Sequence, residues 1–213
     1  MEIVQLIKKL NNTELGKAGT NDTYVLIPQN LDVSDIFPEV NKSLMFVYKK
    51  NEEPVNIRYT FGREKRIVGL GPFYRKYNLC AGDELLLEKQ TVNSEDRYFI
   101  NFRKHTNTVV YQKMRQGFES LTPERKELLN EEIQIKYGEQ KGNLEVNFIG
   151  NIKKRQDSPE ATEVYDIKVG GNSIYNEFQG KEIIEIEVLD KEAVLRRFCA
   201  WKKYKFHTEV ENE

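Results

Sequence analysis

Apolar residues recur along this chain mostly in short runs. Ile3, Leu6, Ile7 and Leu10 share one face at helical spacing, so residues 1–10 read as a short helix or a leading strand. Residues 11–23 are then rich in Asn, Thr and Gly, with few apolar positions, and mark a polar loop. Tyr24-Val25-Leu26-Ile27 reads as a strand stopped by Pro28, and residues 31–40 read as a short capped helix with Phe37 turned inward. A further strand is expected at Leu44-Met45-Phe46-Val47-Tyr48. In residues 55–60, Val55, Ile57 and Tyr59 alternate with Asn56, Arg58 and Thr60, the period-two signature of a half-buried strand that points Arg58 outward. Gly62, Gly69 and Gly71 then permit tight bends around Ile67-Val68. A helical turn over 72–77, a Gly82-Asp83 turn into an apolar strand and a last strand at 98–104 complete the first half. About six short strands and two short helices in some 100 residues predict a small closed or nearly closed barrel.

The pattern changes after residue 108. Residues 110–119 read as the start of a helical section. Thr122-Pro123-Glu124 has the form of a helix N-terminus, with a hydroxyl cap, proline at the first helical position and an acid near the positive dipole end, so a helix is expected up to Tyr137 and Gly138. Residues 142–152, 164–169 and 181–188 alternate like strands. Asp190 reads as the cap of a last helix over 191–206, where Val194, Phe198 and Trp201 share a face opposite Arg196, Arg197, Lys202 and Lys203. The expected class is mixed and mainly β, with a pseudobarrel over 1–108 and an accessory α+β domain over 109–213.

Composition narrows the function classes. With 38% hydrophobic and 31% charged residues in 213, the chain is long enough to bury a core without staples. No apolar run approaches the length of a membrane span, and the first residues lack the features of a signal peptide, so a cytoplasmic protein is expected. Cys80 and Cys199 are far apart and lack metal-ligand spacing; both read as buried free thiols, and no metal or other cofactor is expected. The net charge of −1 gives no general basis for binding polyanions. Local clustering does. Residues 56–77 hold six basic side chains (Arg58, Arg63, Lys65, Arg66, Arg75, Lys76) against one acid, Glu64. Guanidinium forks bind phosphate or read a guanine edge, while a carboxylate inside such a run either orients a neighbouring arginine or accepts from a cytosine amino group.

The order of these segments resembles the B-three-type pseudobarrel DNA-binding domain, and most closely the N-terminal effector-binding domain of the restriction enzyme EcoRII. The resemblance spans about residues 10–105. It rests on Ala18-Gly19-Thr20-Asn21-Asp22-Thr23 leading into the Tyr24 strand, on Ile36-Phe37-Pro38-Glu39-Val40-Asn41, on Phe61-Gly62-Arg63-Glu64-Lys65-Arg66-Ile67 ahead of Gly71, and on Leu79-Cys80-Ala81-Gly82-Asp83-Glu84-Leu85. It implies two arms that enter the major groove of double-stranded DNA. Lys17, Thr20, Asn21, Asp22 and Thr23 would lie on one arm, and Arg63, Glu64, Lys65 and Arg66 on the other. Arg58, Arg75 and Lys76 join them as candidate contacts, and Lys49, Lys50 and Lys104 as weaker ones. The function so implied is sequence-specific DNA recognition in a restriction-modification or related bacterial defence system, alongside a nuclease or motor domain or subunit. The polar loop is shorter here and the region after Gly71 differs, so no target sequence carries over.

The alternative is a complete small restriction endonuclease. Such an enzyme holds Mg²⁺ between acids on adjacent strands with a lysine two residues after the second acid. Asp166-Ile167-Lys168 has that spacing, and Glu145 or Glu160 is the candidate first acid.

Overall fold

Val4 and Leu6 are both buried at a spacing of two, and residues 2–9 form a strand, β1 (Glu2–Lys9), rather than a helix. The computed structural model describes residues 1–17, 23–38, 40–129, 132–153 and 161–208. The chain divides into two units, Met1–Lys104 with Cys199–Glu213, and His105–Phe198. This differs from a division into 1–108 and 109–213, because the C-terminal segment returns to the first unit.

The first unit is one curled sheet. In chain order its strands are β1, β2 (Tyr24–Ile27), β3 (Lys42–Tyr48), β4 (Glu53–Thr60), β5 (Lys65–Val68), β6 (Glu84–Val92), β7 (Glu95–Arg103) and, from the end of the chain, β16 (Trp201–His207). They lie in the order β16-β1-β6-β7-β3-β4-β5-β2, so the eight-stranded sheet has β16 and β2 at its edges. Asn93 and Ser94 both take positive φ, 49° and 68°, which suits the two-residue turn joining β6 to β7. One short helix, α1 (Gly71–Lys76), starts with proline in its first turn. The concave side encloses Leu6, Val25, Phe37, Phe46, Ile57, Tyr59, Ile67 and Leu85. Ring packing of Phe37 against Tyr59, 5.1 Å between centroids, fixes the middle of this core.

Lys8 is buried in this unit. Its ammonium lies 3.1 Å from Glu14 and 5.4 Å from the centroid of the Trp201 ring. Burial draws its pKa down by more than the Glu14 carboxylate raises it. Glu14 also accepts from the Asn11 backbone N–H at 2.8 Å, so the ion pair holds the turn over residues 11–17 from which the polar loop departs.

The second unit is a closed barrel, where a mixed α+β arrangement was expected. Its strands are β8 (Thr108–Met114), β9 (Gly117–Ser120), β10 (Gln134–Tyr137), β11 (Gln140–Lys153), β12 (Ala161–Val169), β13 (Asn172–Ser173), β14 (Ile183–Leu189) and β15 (Glu192–Arg197). The order β11-β10-β15-β14-β8-β9-β12 closes through pairing of β12 with β11, giving seven staves with β13 appended. Tyr111, Phe118, Ile135, Ile167, Phe178, Ile184 and Ile186 fill it.

The mainly β class holds, and the long helices expected in the second half are replaced by strands. Residues 110–119 form β8 and β9. Thr122 starts only a 3-10 turn, Pro123–Leu129, and its hydroxyl, fully buried, accepts from the Val110 N–H at 2.9 Å instead of capping. Ile133 and Ile135 are then both buried two apart, and residues 134–137 pair with β15 and β11. Over 191–206 the positions Val194, Phe198 and Trp201 fit a helix, but Ala193 and Leu195 are the residues buried, at 2% and 4% exposure, as β15 requires. Asp190, at φ 58°, is a hairpin corner between β14 and β15. Residues 33–37 make a single hydrogen-bonded turn, with Phe37 inward as expected. Cys80 is half-buried and Cys199 exposed, contrary to the expected pair of buried thiols, because both lie in connecting segments, one between α1 and β6 and the other between β15 and β16.

Candidate nucleic-acid interface

On β4 the alternation holds: Val55, Ile57 and Tyr59 face the core and Asn56 and Arg58 face out. Antiparallel register then sets two rows on the outer face. Ser43, Arg58, Val68 and Tyr24 stand abreast across β3, β4, β5 and β2, and Thr60, Arg66 and Leu26 form the next row. The β4–β5 connection, Phe61 to Glu64, projects beyond these rows with Arg63 and Glu64 exposed. Its base is clamped by the Phe61 N–H donating to Asn41 Oδ1 at 2.6 Å.

Glu64 orients an arginine, one of the two roles its position allowed. Arg66 Nε donates to Glu64 Oε2 at 3.0 Å, and its guanidinium lies 4.6 Å from the centroid of the Tyr24 ring. The planar group is thus held on two sides. Lys65 has the opposite phase, and its ammonium sits 5.3 Å from the Phe61 ring centroid.

Several basic side chains elsewhere are matched with acids. Lys49 pairs with Glu88, Arg103 with Glu84, Arg196 with Glu187, and Lys203 and Lys205 with Asp35. Lys76 pairs with Glu53, and that ammonium, with Asn51 and Tyr77, holds the Glu53 carboxyl below the usual carboxylate range. Among the described residues, Arg58, Arg63 and Arg75 have no acidic partner. Lys76, paired with Glu53, and Arg66, paired with Glu64, therefore differ from Arg58, Arg63 and Arg75 in being structurally matched charges.

Of the polar loop, Lys17 and Thr23 are described; Thr20, Asn21 and Asp22 lie outside the described residues. Lys17 is exposed. Thr23 precedes Tyr24, which pairs with Val68, so the loop joins β2 at the end of β5 away from the hairpin tip. Thr23 packs beside Gly71 and Arg75: a Cβ on Gly71 would lie 2.5 Å from Thr23 Oγ1 and 3.3 Å from Arg75 Nη1. Thr23 and Arg63 consequently mark the two ends of one sheet edge, on the order of 15–20 Å apart along the strands. Tyr24, Leu26, Asn41 and Asn56 were not singled out from the sequence. The period-two pattern of β4 signalled Asn56, whereas the others depend on cross-strand register.

Gly69 holds the outer rows to α1. It takes φ +98°, and a Cβ there would lie 2.6 Å from the Asn56 carbonyl oxygen. Gly69→Ala is expected to destabilise the first unit by about 2 kcal/mol or more, from left-handed strain and backbone overlap, read as a lower denaturant midpoint at unchanged slope.

Of the nuclease alternative, Glu145, Asp166 and Lys168 lie on one face of the β11–β12 pair. Asp166 and Lys168 face out on β12, but Asp166 accepts from Ser173 Oγ at 2.5 Å. Glu145 is in register with Lys168, and Asn147 with Asp166, so the two carboxylates stand diagonally. Glu160 lies outside the described residues. Among the described residues no group of three or more His, Cys, Asp or Glu side chains is placed to hold a metal ion. No helix among them is long and apolar enough to cross a membrane.

No protein-family model matches the sequence, and no curated protein matches it. Among solved structures, an Arabidopsis FUS3–DNA complex aligns over 46% of this chain and 94% of its own, at 15% identity and a TM-score of 0.37.

Proposed function

We propose that the first unit is a sequence-specific double-stranded DNA recognition module, of the kind that serves restriction-modification and related bacterial defence systems. The carrying observation is the set Arg58, Arg63 and Arg75, none with an acidic partner among the described residues, on β4, the β4–β5 connection and α1 of the first unit. Phosphate neutralisation needs such unmatched charge, and base reading needs a guanidinium held in one plane, as Arg66 is by Glu64 and Tyr24. The edge from Thr23 to the hairpin tip is long enough to follow roughly five base-pair steps of duplex. Lys17, Thr20, Asn21, Asp22 and Thr23 are the proposed contacts at one end, and Arg63, Glu64, Lys65 and Arg66 at the other.

Fluorescence polarisation of labelled duplexes selected from a random pool tests this reading. Three arginine–phosphate contacts give log K against log salt a slope of about −3 or steeper. Arg58→Ala and Arg63→Ala should each either lower that slope by about 1, marking a phosphate contact, or cost about 1–3 kcal/mol at one base position, marking a base contact. Salt-independent binding, or affinity unchanged in the double variant, would refute the assignment.

A further inference from the structure

On β2 the burial alternates: Val25 and Ile27 point into the core, so Tyr24 and Leu26 point out. Leu26 is 46% exposed on an edge strand of the sheet. A bare aliphatic group beside unpaired backbone invites association between chains, and a charge is the safer choice at such a position. The cross-strand partner of Leu26 is Arg66. Directly opposed residues of an antiparallel pair share one face, with Cβ atoms about 4.5–5.5 Å apart. Arg66 carries the guanidinium that Glu64 and Tyr24 hold on two sides, so Leu26 stands beside an oriented planar donor group. On the other flank of Arg66, the Thr60 hydroxyl donates to the Arg66 carbonyl oxygen at 3.4 Å and is engaged within the sheet.

A guanidinium fork next to an aliphatic group matches two neighbouring features of the major groove. Guanine presents O6 and N7 as paired acceptors, and the apolar group on a base edge there is the C5-methyl of a pyrimidine. Successive bases on one strand rise by about 3.4 Å, a step that side chains on adjacent β-strands can span. Resting on the DNA-recognition reading, we propose that Arg66 and Leu26 together read a pyrimidine–guanine step carrying a C5-methyl group. Arg66 takes the guanine edge, and Leu26 covers the methyl of the pyrimidine on its 5′ side. Thymine and 5-methylcytosine present the same methyl, so both satisfy Leu26, whereas unmodified cytosine does not. The guanine contact specifies one base, and Leu26 extends the reading to its neighbour.

The test uses the whole protein and duplexes selected from two random pools, one made with cytosine and one with 5-methylcytosine in its place. In the selected sites each thymine is replaced by deoxyuridine, and each 5-methylcytosine by cytosine, one position at a time. Affinity is read by fluorescence polarisation. One such replacement, 5′ to a guanine, should weaken binding about fourfold, the factor for burying one methyl group. An effect at a thymine identifies that base as the partner of Leu26, and an effect at a 5-methylcytosine identifies the modified base. Leu26→Ala, a truncation at an exposed position, should bring the ratio between methylated and unmethylated duplexes to about one, while 7-deazaguanine at the adjacent guanine still weakens binding. If every replacement leaves the affinity of the wild type unchanged while binding stays salt-dependent, the Leu26 assignment falls and DNA recognition stands. A methyl effect undiminished in Leu26→Ala also overturns it, and absence of all duplex binding removes both readings.

Discussion

A chain cut after residue 108 is expected to lose the first unit, although it keeps every residue of the proposed DNA surface. The missing piece is β16, which pairs with β1 from Glu2↔His207 to Lys8↔Trp201 and lays Trp201 against the core. Without it, β1 becomes an edge carrying Ile3, Val4, Leu6 and Ile7 beside unpaired backbone groups, a template for association between chains. The inserted barrel is not the source of that stability. The chain leaves the sheet at the end of β7 and returns at the start of β16, with β6 and β1 between them, a gap of about 14 Å at ordinary strand spacing. Glu84, in that gap on β6, pairs with Arg103 at 3.0 Å and with Lys202 at 3.7 Å, joining both sides. Residues 1–104 connected to 199–213 by a Gly/Ser linker of about 8 residues should thus unfold cooperatively, while 1–108 alone aggregates or shows no transition. Denaturant titration followed by circular dichroism distinguishes them. A two-state transition of 1–108 with stability within about 1 kcal/mol of the linked form would refute the requirement for β16.

The second large effect is expected at Lys8 and Glu14. Glu14→Gln leaves a buried ammonium without its counter-charge and should cost about 3–5 kcal/mol. Replacing both groups, Lys8→Met with Glu14→Leu, should recover most of that loss, since neither charge then needs to be desolvated. The pH dependence follows from the depressed pKa of Lys8. Between its folded value and its higher unfolded value the native state binds fewer protons, so stability rises with pH across that window. Glu14→Gln lowers the folded value further and widens it. Denaturation midpoints on the alkaline side check the sign: a midpoint that falls there from deprotonation of Lys8 contradicts a depressed value. Equal losses in the single and double variants would show that the pair acts by something other than charge compensation.

The candidate surface was partly legible before any coordinates. The alternation of Val55, Ile57 and Tyr59 with Asn56 and Arg58 assigned β4 and its outward arginine, because burial of one sheet face imposes a period of two. The run from Arg58 to Arg66 located the basic hairpin, since glycine and charge concentrate where the chain must turn in water. The pairing of Lys76 with Glu53, by contrast, joins residues 23 apart in sequence, and local charge counting treated Lys76 like its neighbours.

By itself, then, the sequence determined the mainly β class, the strands of the first half from Tyr24 onward, the inward Phe37 and the position of the basic hairpin. These depend on side-chain periodicity and turn chemistry over a few residues. Only tertiary structure decided that residues 134–137 and 192–207 are strands, that they close one barrel and edge another sheet, and that the polar loop and hairpin tip stand at opposite ends of β2 and β5. Segments such as 191–206 satisfy both helical and alternating patterns. The choice between them was made by β1 and β10, far away in sequence, together with the hairpin partner β14, whose unpaired backbone and apolar faces are satisfied only by strands.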